Sequence, residues 1–349
     1  MRRFAPTLVL LLGFAAPLLA QLAPSPDAPP DGGNAAASQQ PPLQTGPPVA
    51  TFKVTTNLVN LYFVVRDKRG ALIPNLTRND CTIYEDNVQQ TTKNFAAQTD
   101  LPLTLGLLLD TSLSQQRVLP MEQQTGDAFL KRVMRPRDEA FLVSFDVNVD
   151  LMADFTSSPS EIKRAMDKAQ INSSAANYAN GTIPSIGKPK GTVLYDAVYL
   201  ASHDKLAQES GRKALILLTD GQDEGSQEDL NSAIESAQKA DAINYVLLIS
   251  DPGAYGMFAY TGSGAMHRLA DATGGQVFSI GSNGKKMEAA FEEIESELRT
   301  QYLASYTPTN NKMDGSYRKV RVTCSQNGQP LRVQVRQGYY ALAHGGPGQ

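Results

Sequence analysis

Asp110, Ser112 and Ser114 are the residues of this 349-residue chain whose types and spacing point most directly to chemistry. They close the run Leu103-Thr104-Leu105-Gly106-Leu107-Leu108-Leu109-Asp110-Thr111-Ser112-Leu113-Ser114, where a continuous apolar stretch ends abruptly in a carboxylate. Such a stretch reads as a strand buried on both faces, the pattern of a parallel sheet covered by helices. Where that strand stops, the chain reaches the ligand-binding edge of an open α/β sheet. In near-extended chain, positions i, i+2 and i+4 point the same way, so the three side chains converge. Three hard oxygens at one point suit a divalent cation such as Mg²⁺. Taken alone, the pattern has a plainer reading, because Asp, Ser and Thr are ordinary turn and helix-capping residues.

Two later segments add to it. Lys213-Ala214-Leu215-Ile216-Leu217-Leu218-Thr219-Asp220-Gly221-Gln222-Asp223 is a second buried-strand run ending in a carboxylate and a glycine. Between the two runs, Gly191-Thr192-Val193-Leu194-Tyr195-Asp196-Ala197 places a hydroxyl after a polar loop, where a helix is expected to begin. The set Asp110, Ser112, Ser114, Thr192 and Asp220 resembles the metal-ion-dependent adhesion site of von Willebrand factor type A domains, in type, order and approximate spacing. The flanks, including Gln301 to Tyr306 and Gly338 to Ala341, look like those of a secreted subfamily abundant in acidobacteria. The resemblance implies a doubly wound, mainly parallel α/β sheet. It also implies that Ser112, Ser114 and Thr192 give hydroxyl oxygens directly to the ion, with Asp110 and Asp220 close by and often acting through bound waters. The ion would be Mg²⁺, or Mn²⁺ or Ca²⁺. Two carboxylates supply charge while neutral hydroxyls leave the ion electron-poor, so an open position attracts an acidic side chain from a protein or extracellular-matrix partner. Leu113 stands where this family often has a small residue.

The expectation is therefore a binding module and not an enzyme. The alternative is a metal-dependent hydrolase using Asp110 and Asp220. A phosphate-transfer enzyme of that kind would place a second carboxylate two residues after the first, and position 112 is serine. Nucleophilic attack by Ser112 or Ser114 needs a base, and the three histidines, His203, His267 and His344, fall in two helices and the C-terminal tail. The sequence has neither a Gly-x-Ser-x-Gly elbow nor a phosphate-binding loop. A third reading is a purely structural domain with the site degenerate.

Neighbouring residues carry weaker readings. Asp223 and Glu224 read as the start of a helix capped by Ser226, and Asp196 as a capping or solvated residue. The polar loop 171–190, with Asn177, Tyr178 and Ile183, is placed to carry specificity.

The elements that must hold these residues follow from pattern. Residues 1–20 carry Arg2-Arg3, an apolar stretch from Leu8 to Leu19, and Ala20 at a cleavage point, which reads as a signal peptide. An uncleaved membrane anchor is the competing reading, although the apolar run is short for one. The protein is thus expected to be exported, to the periplasm or the medium, with no transmembrane span after cleavage. Residues 21–50 are rich in Pro, Ala, Gly and Gln and read as a disordered spacer. The formal net charge of −3, with no dense Lys/Arg stripe, gives nucleic-acid binding no support.

Residues 51–100 read as an N-terminal β segment, with strands at Leu58 to Arg66, Cys81 to Glu85 and Val88 to Phe95. Residues 101–303 are expected to form the type A domain that the resemblance implies, and residues 304–342 a C-terminal β segment before a tail at 343–349. In the last segment Leu331, Val333 and Val335 face in, while Arg332, Gln334 and Arg336 face out. Neither flank has enough strands to stand alone, so the two are expected to join into one small antiparallel β-domain. Helices are expected after Ser114, at Ser160 to Ala169, Thr192 to Gln208, Ser226 to Ala240 and Ser263 to Thr273. The last helix presents Met287, Phe291, Ile294, Leu298 and Tyr302 as one apolar stripe. Cys81 and Cys324, the two cysteines, share strand faces with Ile83 and with Val320 and Val322. In an oxidising compartment a disulfide joining the flanks is open to them, as are two buried free thiols; the closed loop would add at most about 5 kcal/mol.

Overall fold

The computed structural model describes residues 58–97, 101–172, 191–249 and 262–342. The chain enters with four strands, β1 (Val59–Arg66), β2 (Cys81–Glu85), β3 (Val88–Gln90) and β4 (Thr92–Ala97). An alternating part follows: β5 (Leu103–Asp110), α1 (Leu119–Val133), β6 (Glu139–Phe145), β7 (Val149–Thr156), α2 (Pro159–Met166) and α3 (Leu194–Leu200), which runs into a π-helical turn at Ala201–Leu206. It continues through β8 (Arg212–Thr219), α4 (Leu230–Lys239), β9 (Ala242–Leu248), α5 (Ser263–Thr273), β10 (Val277–Ser279) and α6 (Gly284–Thr300). The chain closes on β11 (Tyr302–Tyr306), β12 (Tyr317–Gln326), β13 (Gln329–Pro330), β14 (Arg332–Val335) and β15 (Gly338–Tyr340).

Every residue of β5 and β8 is buried, which is why Leu105 to Leu109 and Ala214 to Leu218 read as apolar runs. They lie side by side and parallel at the centre of a six-stranded sheet of order β10-β9-β8-β5-β6-β7. Only the edge strand β7 is antiparallel, paired to β6. Counted within the sheet, the order is 3-2-1-4-5-6, that of a doubly wound fold. Leu105, Leu107 and Leu109 of β5 pack against α1, α2 and α6, where the rings of Phe129 and Phe291 stack at 4.4 Å. Leu108 faces the other way, into the layer holding Leu194 and Val198 of α3, Ala233 of α4 and Met266 of α5. Gly106 belongs on that side too, because a Cβ there would meet the Phe141 ring at 2.4 Å.

The flanking strands form two antiparallel sheets, of order β14-β1-β11-β4 and β13-β12-β2-β3, with β15 on β12. Each sheet mixes strands from before and after the α/β part, so the fold class expected from sequence is the one observed. Their shared core holds Leu61, Phe63, Ile83, Tyr302, Tyr306, Val320 and Val322. Buried Glu85 accepts from the hydroxyls of Tyr306 (2.7 Å) and Tyr339 (2.9 Å) and from the Arg318 guanidinium (3.1 Å). Cys81 and Cys324 occupy directly opposite positions of β2 and β12 and are joined in a disulfide.

Four local expectations are corrected. The run Val88 to Phe95 is two strands in different sheets, β3 on β2 and β4 on β11, broken at Thr91. Tyr302 lies beyond α6, in β11, where its ring packs on Phe63 and Phe95. The helix expected from Ser226 begins at Leu230, because Asp229 supplies the N-cap by accepting from the Ser232 N–H at 2.8 Å. Arg336 is buried, drawn inward by an ion pair with Asp241 and a hydrogen bond to the Asn60 carbonyl.

Candidate metal centre

The strand order reverses between β5 and β8, and a doubly wound sheet opens a crevice at that switch point beyond the carboxyl ends of its strands. Asp110 is the last residue of β5, and Asp220 follows the last residue of β8. Both therefore stand at the crevice because the sheet register puts Leu109 beside Leu218.

A chain of hydrogen bonds links them. Thr219 Oγ1 donates to Asp110 Oδ2 at 2.7 Å, and the Ser112 N–H donates to Asp110 Oδ1 at 3.0 Å. The hydroxyls of Ser112 and Ser114 lie 2.9 Å apart, and Ser114 Oγ donates to Asp220 Oδ2 at 2.7 Å. The convergence expected from extended chain is thus present but arises differently. Ser112 is extended, while Leu113–Gln115 forms a 3-10 turn that swings the Ser114 hydroxyl back over Ser112. Leu113, at the turn, is left 45% exposed on the rim.

Thr192 is brought to this edge through its backbone. Its carbonyl accepts from the N–H groups of Glu224 (2.9 Å) and Gly225 (3.2 Å), which ties it to the segment carrying Asp220. A Cβ on Gly225 would lie 2.8 Å from the Gly191 carbonyl, so the two segments meet this closely only with glycine there. A second tie runs through Asp146, whose carboxylate accepts from Thr111 Oγ1 at 3.0 Å and whose carbonyl accepts from the Val193 N–H at 2.7 Å. Asp223 and Asp196 serve this frame. Asp223 accepts from the Tyr195 N–H at 3.1 Å and from Ser226, and Asp196 accepts from the N–H groups of Gln227 and Glu228. Asp223 thus caps the start of α3 and not its own downstream helix. Of the loop 171–190, only Ile171 and Asn172 lie among the described residues.

Asp110 is fully buried. Burial, and then the charge of nearby Asp220, push its carboxyl up to about 7. Two carboxylates crowded at a sheet edge beside the hydroxyls of Ser112, Ser114 and Thr219 form a hard oxygen donor set, and a hard dication fits it. Asp110, Ser112, Ser114, Thr192 and Asp220 are the residues that would hold it. Among the described residues no group of three or more His, Cys, Asp or Glu is placed to hold a metal ion.

Three residues escaped the sequence reading. Thr219 looks like one more β-branched residue in a strand. Gln115 is 1% exposed; its amide nitrogen faces Ser114 Oγ at 3.4 Å, while its oxygen has no hydrogen-bond partner. Glu122 is fully buried in the first turn of α1, with both carboxylate oxygens unpartnered. The available signal was periodic: Glu122 sits on the same stripe as Leu119, Gly126, Phe129 and Val133, the face that α1 turns to the sheet.

An open doubly wound sheet with hydroxyls and carboxylates at its switch point is the arrangement that the type A resemblance implies. Among solved structures, the chain is similar to von Willebrand factor type A from Catenulispora acidiphila, at 14% identity over 76% of this chain and 75% of that one, with a TM-score of 0.43. It is also similar to the conserved hypothetical protein BatB from Bacteroides thetaiotaomicron, at 17% identity over 56% of this chain and 98% of that one (TM-score 0.41). A third is proximal thread matrix protein 1 from the mussel byssus with a zinc-occupied adhesion-site motif, at 18% identity over 61% of this chain and 49% of that one (TM-score 0.45). At these scores the likenesses carry no functional argument. No protein-family model and no curated protein matches the sequence.

Proposed function

We propose that the chain is an exported binding protein that engages a protein or matrix partner through a divalent cation held by Asp110, Ser112, Ser114, Thr192 and Asp220. The observation that carries the reading is the hydrogen-bond chain from Thr219 through Asp110, Ser112 and Ser114 to Asp220 at the sheet's switch point. Its hydroxyls are prearranged by the 3-10 turn, so little ordering remains on binding. When bound, the cation supplies positive charge and an open coordination position for an acidic side chain. The chain's own contribution is to hold Asp110 rigidly, aim the two serines, and keep Thr192 and Asp220 on walls that are bonded to each other. Export rests on the signal-peptide pattern of residues 1–20. Among the described residues no helix is long and apolar enough to cross a membrane.

The test is calorimetric titration of the metal-free mature protein with Mg²⁺ and Mn²⁺ beside Asp220→Ala. Saturable binding by the wild type that is lost in the variant is expected. Equal binding by both would move the cation elsewhere and overturn the assignment.

A further inference from the structure

The first turn of α1 carries a feature that the five-residue set leaves unexplained. Three oxygens there, Gln115 Oε1 and both of Glu122, are buried with no hydrogen-bond partner. Gln115 Oε1 can only accept, and Glu122, charged or protonated, finds no hydrogen-bond partner for either oxygen among the described residues. Such a group is costly unless something supplies protons or positive charge. Gln115 follows Ser114 directly, its carbonyl accepts from the Val118 N–H, and the Val118 carbonyl in turn accepts from the Glu122 N–H, so two successive turns join Ser114 to Glu122. The amide nitrogen of Gln115 already points at Ser114 Oγ. The acid therefore stands on the core-facing side of the segment that presents two of the five candidate ligands. Burial holds the Glu122 carboxyl well above the ordinary glutamate range, and the charges that add to this effect are those of Asp110 and Asp220.

We infer that Glu122 is a third carboxylate of the cation site, acting from beneath the sheet edge through water, with Gln115 orienting that water against Ser114. The inference rests on the cation site proposed above. An outer position agrees with the absence, among the described residues, of a three-acid group close enough to hold a metal directly. Buried groups of this kind orient the direct ligands and set the affinity of a site, and removing one typically costs roughly 10- to 100-fold in metal binding. A cation offsets the burial that keeps Glu122 protonated, so on binding Glu122 adds negative charge where no partner side chain can reach and strengthens the hold without occupying the open position.

The test titrates Mn²⁺ into metal-free wild type, Asp220→Ala, Glu122→Gln and Glu122→Met, with the metal-free melting temperature of each recorded. Gln has the shape of the protonated acid, and Met is an apolar replacement of similar volume, so at least one is expected to fold as the wild type does. The expected result is wild-type-like metal-free melting with Mn²⁺ affinity weakened by roughly tenfold or more, and a correspondingly smaller rise in melting temperature on adding Mn²⁺. Wild-type affinity in a folded Glu122 variant, with binding lost in Asp220→Ala, would overturn the role of Glu122 and leave the cation site standing. Absence of Mn²⁺ binding by the wild type would overturn both.

Discussion

Thr219 donates its hydroxyl to the Asp110 carboxylate across the seam between the two central strands, and the same hydroxyl accepts from the Gly221 N–H at 3.0 Å. One buried oxygen thus fixes the carboxylate on one strand and the turn that carries Asp220 on the next. Thr219→Val keeps the shape and removes both bonds. It is expected to cost about 1–3 kcal/mol in chemical denaturation and to weaken Mg²⁺ binding. Unchanged stability and affinity would mean that the strands alone position the two acids.

The pH dependence of stability follows from the crowded acids. Asp110 is raised to about 7, so the metal-free folded state holds a proton there that the unfolded chain has released above its ordinary carboxyl range. Stability linked to this group is therefore present at low pH and is lost as pH rises toward and through 7. Metal-free protein is expected to melt higher at about pH 5.5 than at about pH 8, and saturating Mg²⁺ to remove most of that difference. Calorimetric scans at both pH values, with and without the ion, measure it. A metal-free melting temperature that rises with pH across this window would contradict the crowding.

Glu297 of α6 is fully buried and paired to Arg66 of β1, which also bonds Glu293 at 2.7 Å. Gln334 of β14 donates to the other Glu297 oxygen at 3.2 Å. This pair joins the antiparallel layer to the last helix of the α/β part. Arg66→Met leaves a buried acid without its cation, and a loss of about 3–5 kcal/mol is expected in urea denaturation. A loss below about 1 kcal/mol would show that Glu297 is held neutral and does not depend on Arg66.

The disulfide between Cys81 and Cys324 closes a loop across 243 residues. Replacing both with serine is expected to cost about 2–5 kcal/mol. Non-reducing mass spectrometry of exported material should recover the two peptides linked, and free thiols there would remove the staple from the account.

Much of this arrangement was legible because buried strands leave an unmistakable pattern. Leu105 to Leu109 and Ala214 to Leu218 carry no polar side chain because helices cover both faces of the sheet. The facing of Cys81 and Cys324 was equally readable, since period-two alternation fixes which side of a strand a residue takes. What failed to show depends on partners distant in sequence. Thr91 looks like any strand residue, yet the chain changes sheets there because β2 and β11 recruit its two sides. Ser226 looks like a helix cap, but its hydroxyl donates to Asp223 and accepts from the Asp196 N–H, leaving the cap to Asp229. Glu122 shares a helical stripe with Leu119, Phe129 and Val133, but that an acid on this stripe is buried shows only once the stripe packs on the sheet.

The pairing of β2 with β12 also imposes an order of events. Within the parallel sheet β5 and β6, and β8 and β9, are each joined by a single helical crossover, whereas β2 finds its partner only after the whole intervening part has been made. Closing so long a loop is entropically slow unless something compact already brings its ends together. The α/β part is therefore expected to assemble first and act as the template on which the outer strands close, with oxidation sealing the result. Pulse-labelled hydrogen exchange during refolding would show β5 and β8 protected before β2 and β12. Until that last step the edges of β2 and β12 stand unpaired, so the chain is most prone to aggregate late in folding, after the sheet edge carrying Asp110 and Asp220 has already formed.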